Sequence, residues 1–440
     1  MAACASARAQ INARIHDVKS LAQFARVGTF PTGQSAVSCE TVICNIGDQV
    51  IPWQAPMSPS HPFIAYSMFR LHDGRFEQIG RSWAKHTFSV NSQFFCGPCV
   101  PAGASALGVG CADTYSNSAN ASQFYLGPRE EIDPFTGAWQ PCGSFFDALP
   151  EDCLRNFNAS GLGPLDHRCV LSDGDLNLPG ASYFYEAMYI VPGDVDPLDN
   201  IGSRLCTMFW NGVSWVFLTP LDNNAIVRAP AIATRYLSGG PHEAMGVIAD
   251  PGRVYVASKA TDVGGGSWHY EYAVYNFNYA RRIRGFSVPV PPSATVTNIE
   301  FRDGDGESFN DWTAAFDAAC GAMTWQTSTY AEDPQTVTLV WGTLYNFRFD
   351  ADVPPGGGDV ALDPFLPGAG SSRLWTSVVT PDMGCLKGDV NGDGLVNGDD
   401  IQPFVAALFD PPCALSRVYC AADLASPAPV SAMVSRLLAP

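Results

Sequence analysis

The chain has 440 residues, 43 acidic and 25 basic side chains, and a formal net charge of −18. That length implies two or three domains, and 46% hydrophobic residues supply real cores, which excludes general disorder. The negative excess opposes a nucleic-acid backbone or an anionic membrane surface as partner, because like charges repel. With only 15% charged residues but 41 Gly, 34 Pro and 12% aromatics, the composition is that of a turn-rich, mostly β protein.

At the start of the chain, Ala5–Ala7 and Ala7–Ala9 are A-x-A patterns of the kind a signal peptidase cleaves. Residues 1–24 are therefore expected to be a signal-peptide remnant with an N-terminal segment. The 14 cysteines do not form a CxxC…CxxC metal pair, so disulfides are expected. The candidates are Cys39, Cys44, Cys96, Cys99, Cys111, Cys142, Cys153, Cys169, Cys206, Cys413 and Cys420. No stretch approaches about 18 apolar residues, so no membrane span is expected. The expected place is secreted, extracellular or at the cell surface.

Hairpins come next. Residues 64–71 and 75–90 flank Asp73-Gly74, a dipeptide suited to a type I′ turn because both residues accept positive φ. A two-residue turn there sets Arg70 opposite Glu77, Met68 opposite Ile79, Ile64 opposite Trp83 and His61 opposite His86. Opposed Cβ atoms lie about 4.5–5.5 Å apart, close enough for His61 and His86 to share a transition metal, with His167 and His269 as further ligands to check. Asn211-Gly212 joins residues 205–210 to 213–218 in the same way, and Val263–Gly266 joins 253–261 to 268–277. Further strands are expected at 295–301, 323–327, 337–341 and 344–350, with the Pro/Gly-rich run 353–358 as a loop.

Two motifs invite chemistry but read as structure. Cys96-Gly97-Pro98-Cys99 copies the thioredoxin tetrapeptide, yet Pro101 and Gly103 make a poor helix behind it, so a disulfide framework with Cys111 is favoured. Asp303, Asp305 and Glu307 alternate but lack the later ligands of a calcium loop, which favours an acidic turn. No G-x-S-x-G elbow, Walker A or G-x-G-x-x-G fingerprint occurs. Trp210 and Trp215 could stack on sugar rings, although strand tryptophans more often fill cores.

Residues 25–239 thus read as a Cys-rich β-sandwich domain and 240–382 as a second one with Cys320 its only cysteine. Residues 385–440 form a small helical module after a linker. In the second domain, Trp268, Tyr270, Tyr272 and Val274 share one strand face. The run W-x-Y-x-Y-x-V-x-N from Trp268 to Asn276, followed by Phe286-Ser287-Val288-Pro289, resembles Ig-like modules of secreted bacterial surface proteins. Trp341-Gly342-Thr343-Leu344-Tyr345-Asn346-Phe347 resembles closing strands of uncharacterised secreted bacterial proteins with dockerin-like tails. Neither resemblance implies an activity.

The sharpest motif is in the tail. Asp389, Asn391, Asp393, Leu395 (by its carbonyl), Asn397 and Asp400 occupy positions 1, 3, 5, 7, 9 and 12 of an EF-hand-type loop, with Gly394 at position 6. Ca²⁺ wants six or more hard oxygens around a sharp turn, and this spacing supplies them. Ile401, Phe404, Val405 and Leu408 then follow helical periodicity. With Asp at position 12, the segment resembles a dockerin repeat. Its second repeat is degenerate: Val430, Met433, Val434, Leu437 and Leu438 match the helix, but the loop is short and keeps only Asp423. Cys413 and Cys420 are expected to staple that half in place of an ion. Dockerins plug into cohesin modules, and the damaged repeat puts such binding in doubt.

The leading expectation is a disulfide-stabilised, calcium-binding extracellular β protein with a structural or adhesive role and no catalysis. Self-association or a cell-surface or cohesin-like protein would be its partner. The alternative is a metal-dependent enzyme acting on polysaccharide or another polymer through His61 and His86. A third reading, glycan binding without catalysis, rests on the tryptophans.

Overall fold

The computed structural model describes residues 9–54, 57–219, 226–409, 413, 415–426 and 428–438. The chain is mostly β with a small helical C-terminal segment. It divides into two compact units: the first runs to Tyr236 and includes Val340–Thr343, and the second holds Leu237–Leu339 and everything from Leu344 onward. The Ala5–Ala9 patterns lie outside the described residues, apart from Ala9 itself.

In the first unit the strands are β1 (Ala13–Val27), β2 (Gln34–Asn45), β3 (Ile51–Pro52), β4 (Phe63–His72), β5 (Arg75–Arg81), β6 (Ala84–His86), β7 (Ala106–Leu107), β8 (Ala112–Tyr115), β9 (Leu126–Gly127), β10 (Cys169–Ser172), β11 (Ser182–Ile190), β12 (Ile201–Trp210) and β13 (Trp215–Leu218). One sheet runs β1-β2-β10 with β8 beside β2, and a larger one runs β13-β12-β11-β4-β6-β9 with β5 beside β4. A single hydrophobic cluster draws on both, from Ile15 and Val37 on one sheet to Met68, Tyr185 and Tyr189 on the other. Strand β1 starts well before residue 25, so the β body includes much of the segment expected to precede it.

The Asp73-Gly74 turn forms with φ of 49° and 76°, as the sterics of a type I′ turn require. Arg70 faces Glu77, and the two side chains form an ion pair. Beyond them a bulge between Met68 and Phe69 shifts the pairing, so Met68 faces Gly80, and Ile64 pairs with Lys85. Ser82 and Trp83 interrupt the return strand. An extra residue in one strand breaks any register counted from the turn. The Asn211 loop is also longer than expected: Trp210 pairs with Trp215, and the Asn211 side chain accepts the N–H groups of Val213 and Ser214.

The second unit contains β14 (Glu243–Ala249), β15 (Arg253–Gly264), β16 (Ser267–Asn276), β17 (Ile283–Pro289), β18 (Val296–Arg302), β19 (Thr313–Asp317), β20 (Ala322–Gln326), β21 (Thr343–Ala351), β22 (Pro355–Pro364) and β23 (Leu374–Pro381). Two five-stranded sheets, β14-β15-β16-β21-β18 and β19-β20-β17-β22-β23, share one core. Tyr270, Tyr272 and Val274 are fully buried in it and meet Phe286, Trp325 and Leu362 of the other sheet. Residues 337–341 form no strand, contributing only the Ile283–Leu339 bridge. Conversely, the glycine run expected as a loop opens β22, with Gly356, Gly357 and Gly358 paired to Thr380, Val379 and Val378. A Cβ at Gly358 would lie 2.4 Å from Thr380 Oγ1. These glycines therefore mark a close approach within the sheet, a role that composition does not distinguish from a loop.

The described residues of the tail form three short helices, α1 (Ile401–Phe409), α2 (Arg417–Ala421) and α3 (Pro429–Leu437), around Phe404, Ala407, Ala421 and Met433.

Candidate functional site

The tail loop is built by its own carboxylates. Asp400 is fully buried and accepts N–H groups from Val390 (2.7 Å), Asn391 (3.1 Å) and Asn397 (2.9 Å). It forms a capping box with Asn397 that launches α1. At the other end Asp389 accepts from Gly392 (2.7 Å), Asp393 (3.0 Å) and Gly394 (3.0 Å). Gly392 and Gly394 both sit at φ +84°, a conformation that L side chains resist. The backbone thus orients the first and last ligands of the expected set inward. Asn391 and Asp393 are exposed and bonded to each other at 3.0 Å. The donors are all hard oxygens, which suits Ca²⁺. Among the described residues, however, no three carboxylates bring oxygens within 4.8 Å of one another.

In the second half of the tail, Asp423 takes Lys387 at 2.9 Å and Arg436 at 2.8 Å. Burial would raise its pKa, but these two cations outweigh that and hold it below the usual carboxylate range. Two basic side chains thus neutralise this carboxylate.

The disulfides correct one expectation directly. Cys413 and Cys420 do not pair with each other: Cys413 joins Cys320, and Cys420 joins Cys385. The tail is thereby fastened to the sheet that carries β20, and Tyr419 stacks on Trp375 of β23 at 5.6 Å. Cys44–Cys96, Cys99–Cys111 and Cys142–Cys153 bring the bridges among the described residues to five. Cys96 and Cys99 therefore belong to separate bridges, which removes the thioredoxin reading. Cys39, Cys169 and Cys206, expected in disulfides, are free thiols buried in the first core. Their role there is that of small apolar side chains. Cys320 and Cys385 were not among the candidates, and only their partners Cys413 and Cys420 reveal their part.

His61 and His86 do meet, though not through the expected register, since His86 pairs with Phe63. Nε2 of His61 lies 3.0 Å from Nδ1 of His86, a direct hydrogen bond. Both rings are fully buried, boxed by Phe63, Trp139 and Phe146. Burial lowers the His61 pKa to about 4 and pushes His86 well below the ordinary histidine range. Each imidazole is neutral, and one ring's N–H occupies the other's lone pair. Among the described residues no third histidine, cysteine or carboxylate completes a metal set with them. His167 stacks on Trp83 at 3.6 Å, while His269 bonds to Asp350 at 2.6 Å. The outer nitrogens, His61 Nδ1 and His86 Nε2, are buried without a hydrogen-bond partner among the described residues.

The tryptophans are also occupied. Trp215 is 5% exposed and donates its indole N–H to Asp173, while the Trp210 ring contacts the Arg26 guanidinium (4.4 Å) and stacks with Phe30 (5.0 Å). Asp303, Asp305 and Glu307 form a self-bonded turn, with Asp305 N–H donating to Asp303 and Glu307 N–H to Asp305.

Neither a family model nor a curated protein matches the chain. Among solved structures, it is similar to the C-terminal domain of the Streptococcus pyogenes antigen I/II-family protein AspA. That match has 8% identity over 85% of this chain and 99% of the other, with a TM-score of 0.18, a likeness too low to carry an argument. Five disulfides point to an oxidising compartment. Among the described residues no helix is long and apolar enough to cross a membrane.

Proposed function

We propose that this chain is a non-catalytic extracellular structural protein made of two β-sandwich domains, the second, Ig-like one capped by a dockerin-like module that holds one Ca²⁺. One observation carries the reading: the Cys320–Cys413 bridge makes the tail a fixed part of the second unit. A tethered plug would need a free linker, whereas a cap needs this attachment. Loss of the second ion site fits the same role, because Lys387 and Arg436 hold Asp423 whatever the calcium level. Asp389, Asn391, Asp393, Asn397, Asp400 and the Leu395 carbonyl would hold the ion, whose charge would draw the acidic loop together. The partner would be a second copy or a cell-surface protein.

The test is elemental analysis of protein purified from its natural source without chelators. Calcium near one per chain, with no stoichiometric transition metal, is the expected result. Absence of calcium would overturn the tail assignment. Copper, zinc or iron lost on substituting His61 and His86, together with an activity, would overturn the structural role.

A further inference from the structure

Strand β1 carries a bulge between Ile15 and Asp17, which pair with Ile43 and Val42 of β2. His16 is the extra residue and has no cross-strand partner in the ladder. Bulges re-aim side chains, and here the imidazole comes to Cys44, whose own partner is Arg14. A donor atom of His16, Cys44 Sγ and Cys96 Sγ all lie within 4.8 Å of one another, the only such grouping of three histidine, cysteine or carboxylate donors among the described residues. Cys44 is fully buried, whereas His16 and Cys96 are half-buried, so the cluster opens toward solvent on one side. The His16 ring makes no hydrogen bond among the described residues and rests against Phe95 at 6.4 Å.

Cys44 and Cys96 are joined to each other here. The loop bearing Cys96 is also held by bonds other than that bridge. Gln93 and Ala112 exchange both backbone hydrogen bonds (2.8 and 2.9 Å), and Thr114 Oγ1 donates to Gln93 Oε1 at 2.6 Å. Val100 N–H donates to Val109 at 2.9 Å on the far side. Opening Cys44–Cys96 would leave both sulfurs beside the imidazole.

We propose that the reduced form of this cluster binds a thiophilic d¹⁰ cation, Zn²⁺ being the expected one, through His16, Cys44 and Cys96. Two thiolates and one imidazole make a soft three-ligand set that leaves a position for water. The chemistry balances with a thiol reductant: two external thiols give two electrons and two protons to the S–S bond, producing two cysteine thiols and one external disulfide. Metal binding then releases the two cysteine protons as both sulfurs bind as thiolates. Disulfide and metal are mutually exclusive states of one site. The chain would hold the ion before oxidation closes the bridge, or wherever a thiol reopens it.

The experiment uses the full chain reduced with a phosphine, with Cd²⁺ as the probe. Alkylation of free thiols followed by mass spectrometry shows which cysteines the metal protects. Protection of Cys44 and Cys96 at one Cd²⁺ per chain is expected; in the oxidised protein their own bridge already blocks both sulfurs, and Cd²⁺ should bind there in no stoichiometric amount. His16→Gln keeps every thiol, and it should weaken the protecting affinity by at least the roughly 10–100-fold typical of losing an outer-shell partner. Cys206→Ser is the control and should leave protection unchanged. Protection of other cysteines, or protection indifferent to His16→Gln, would overturn the site. If reduction unfolds the chain, Cys99→Ser/Cys111→Ser and the wild type lose protection together, which also counts against it.

Discussion

Consider removal of the Cys320–Cys413 bridge by Cys320→Ser/Cys413→Ser. The bridged residues are 93 apart. Chain-entropy reasoning assigns a loop of that size about 4.7 kcal/mol at 25 °C. The Cys385–Cys420 bridge, of separation 35, overlaps it and shortens the effective loop. That correction lowers the value only to about 4.4 kcal/mol, because the dependence on length is logarithmic. In a unit of roughly 200 residues each kcal/mol moves Tm by about 2–4 °C, so a fall of about 9–18 °C is expected if tail and sheets melt together. The assay is calorimetry of the full chain in calcium, with limited proteolysis at 37 °C as a second readout. New cleavage should appear after residue 381, where the tail loses its covalent hold. An unchanged Tm and proteolytic pattern, or a native peptide map linking Cys413 to Cys420, would refute the fixed-cap reasoning.

Further outcomes follow from single sites. Asp393→Ala, which removes an exposed carboxylate, should weaken Ca²⁺ binding by roughly tenfold while barely changing the melting of the calcium-free protein. Asp400→Ala should also destabilise the tail in chelator, by about 2 kcal/mol, because three N–H groups lose their acceptor; equal melting of the two variants in chelator would contradict this. His61 has a folded pKa of about 4, below its unfolded value near 6.5. The unfolded chain therefore binds more protons between these values: stability is full above pH 6.5 and falls by about 3 kcal/mol as pH drops to 4. A His61→Phe variant that keeps the whole acid-induced loss in denaturant titrations would refute that. For Glu243, burial opposes ionisation, but Lys259 and the Ser238 and Gly240 N–H groups pull its pKa down to about 2. Its contribution is complete above the unfolded value near 4.5 and disappears as pH falls to 2; Glu243→Gln should flatten that limb. Gly358→Ala should cost about 1–3 kcal/mol in urea unfolding by forcing Thr380 aside.

Several features are legible in the sequence because they depend on neighbours along the chain. Asp73-Gly74 specifies its turn through φ preferences, alternation places Tyr270, Tyr272 and Val274 on one face, and the spacing from Asp389 to Asp400 sets out a loop whose end carboxylates the backbone then aims. Contacts between distant segments are another matter. One bulge at Met68 and a break at Ser82 change which residue faces His86, yet the two imidazoles still meet at 3.0 Å. Cysteine pairing shows the same limit: fourteen thiols allow many connectivities, and only three-dimensional proximity joins Cys320 to Cys413 while leaving Cys39, Cys169 and Cys206 reduced. The His16 cluster needs a bulge, a buried strand and a separately pinned loop at once. Local conformational preference is written residue by residue, whereas a site assembled from residues 16, 44 and 96 exists only once packing has chosen among the pairings that those preferences permit.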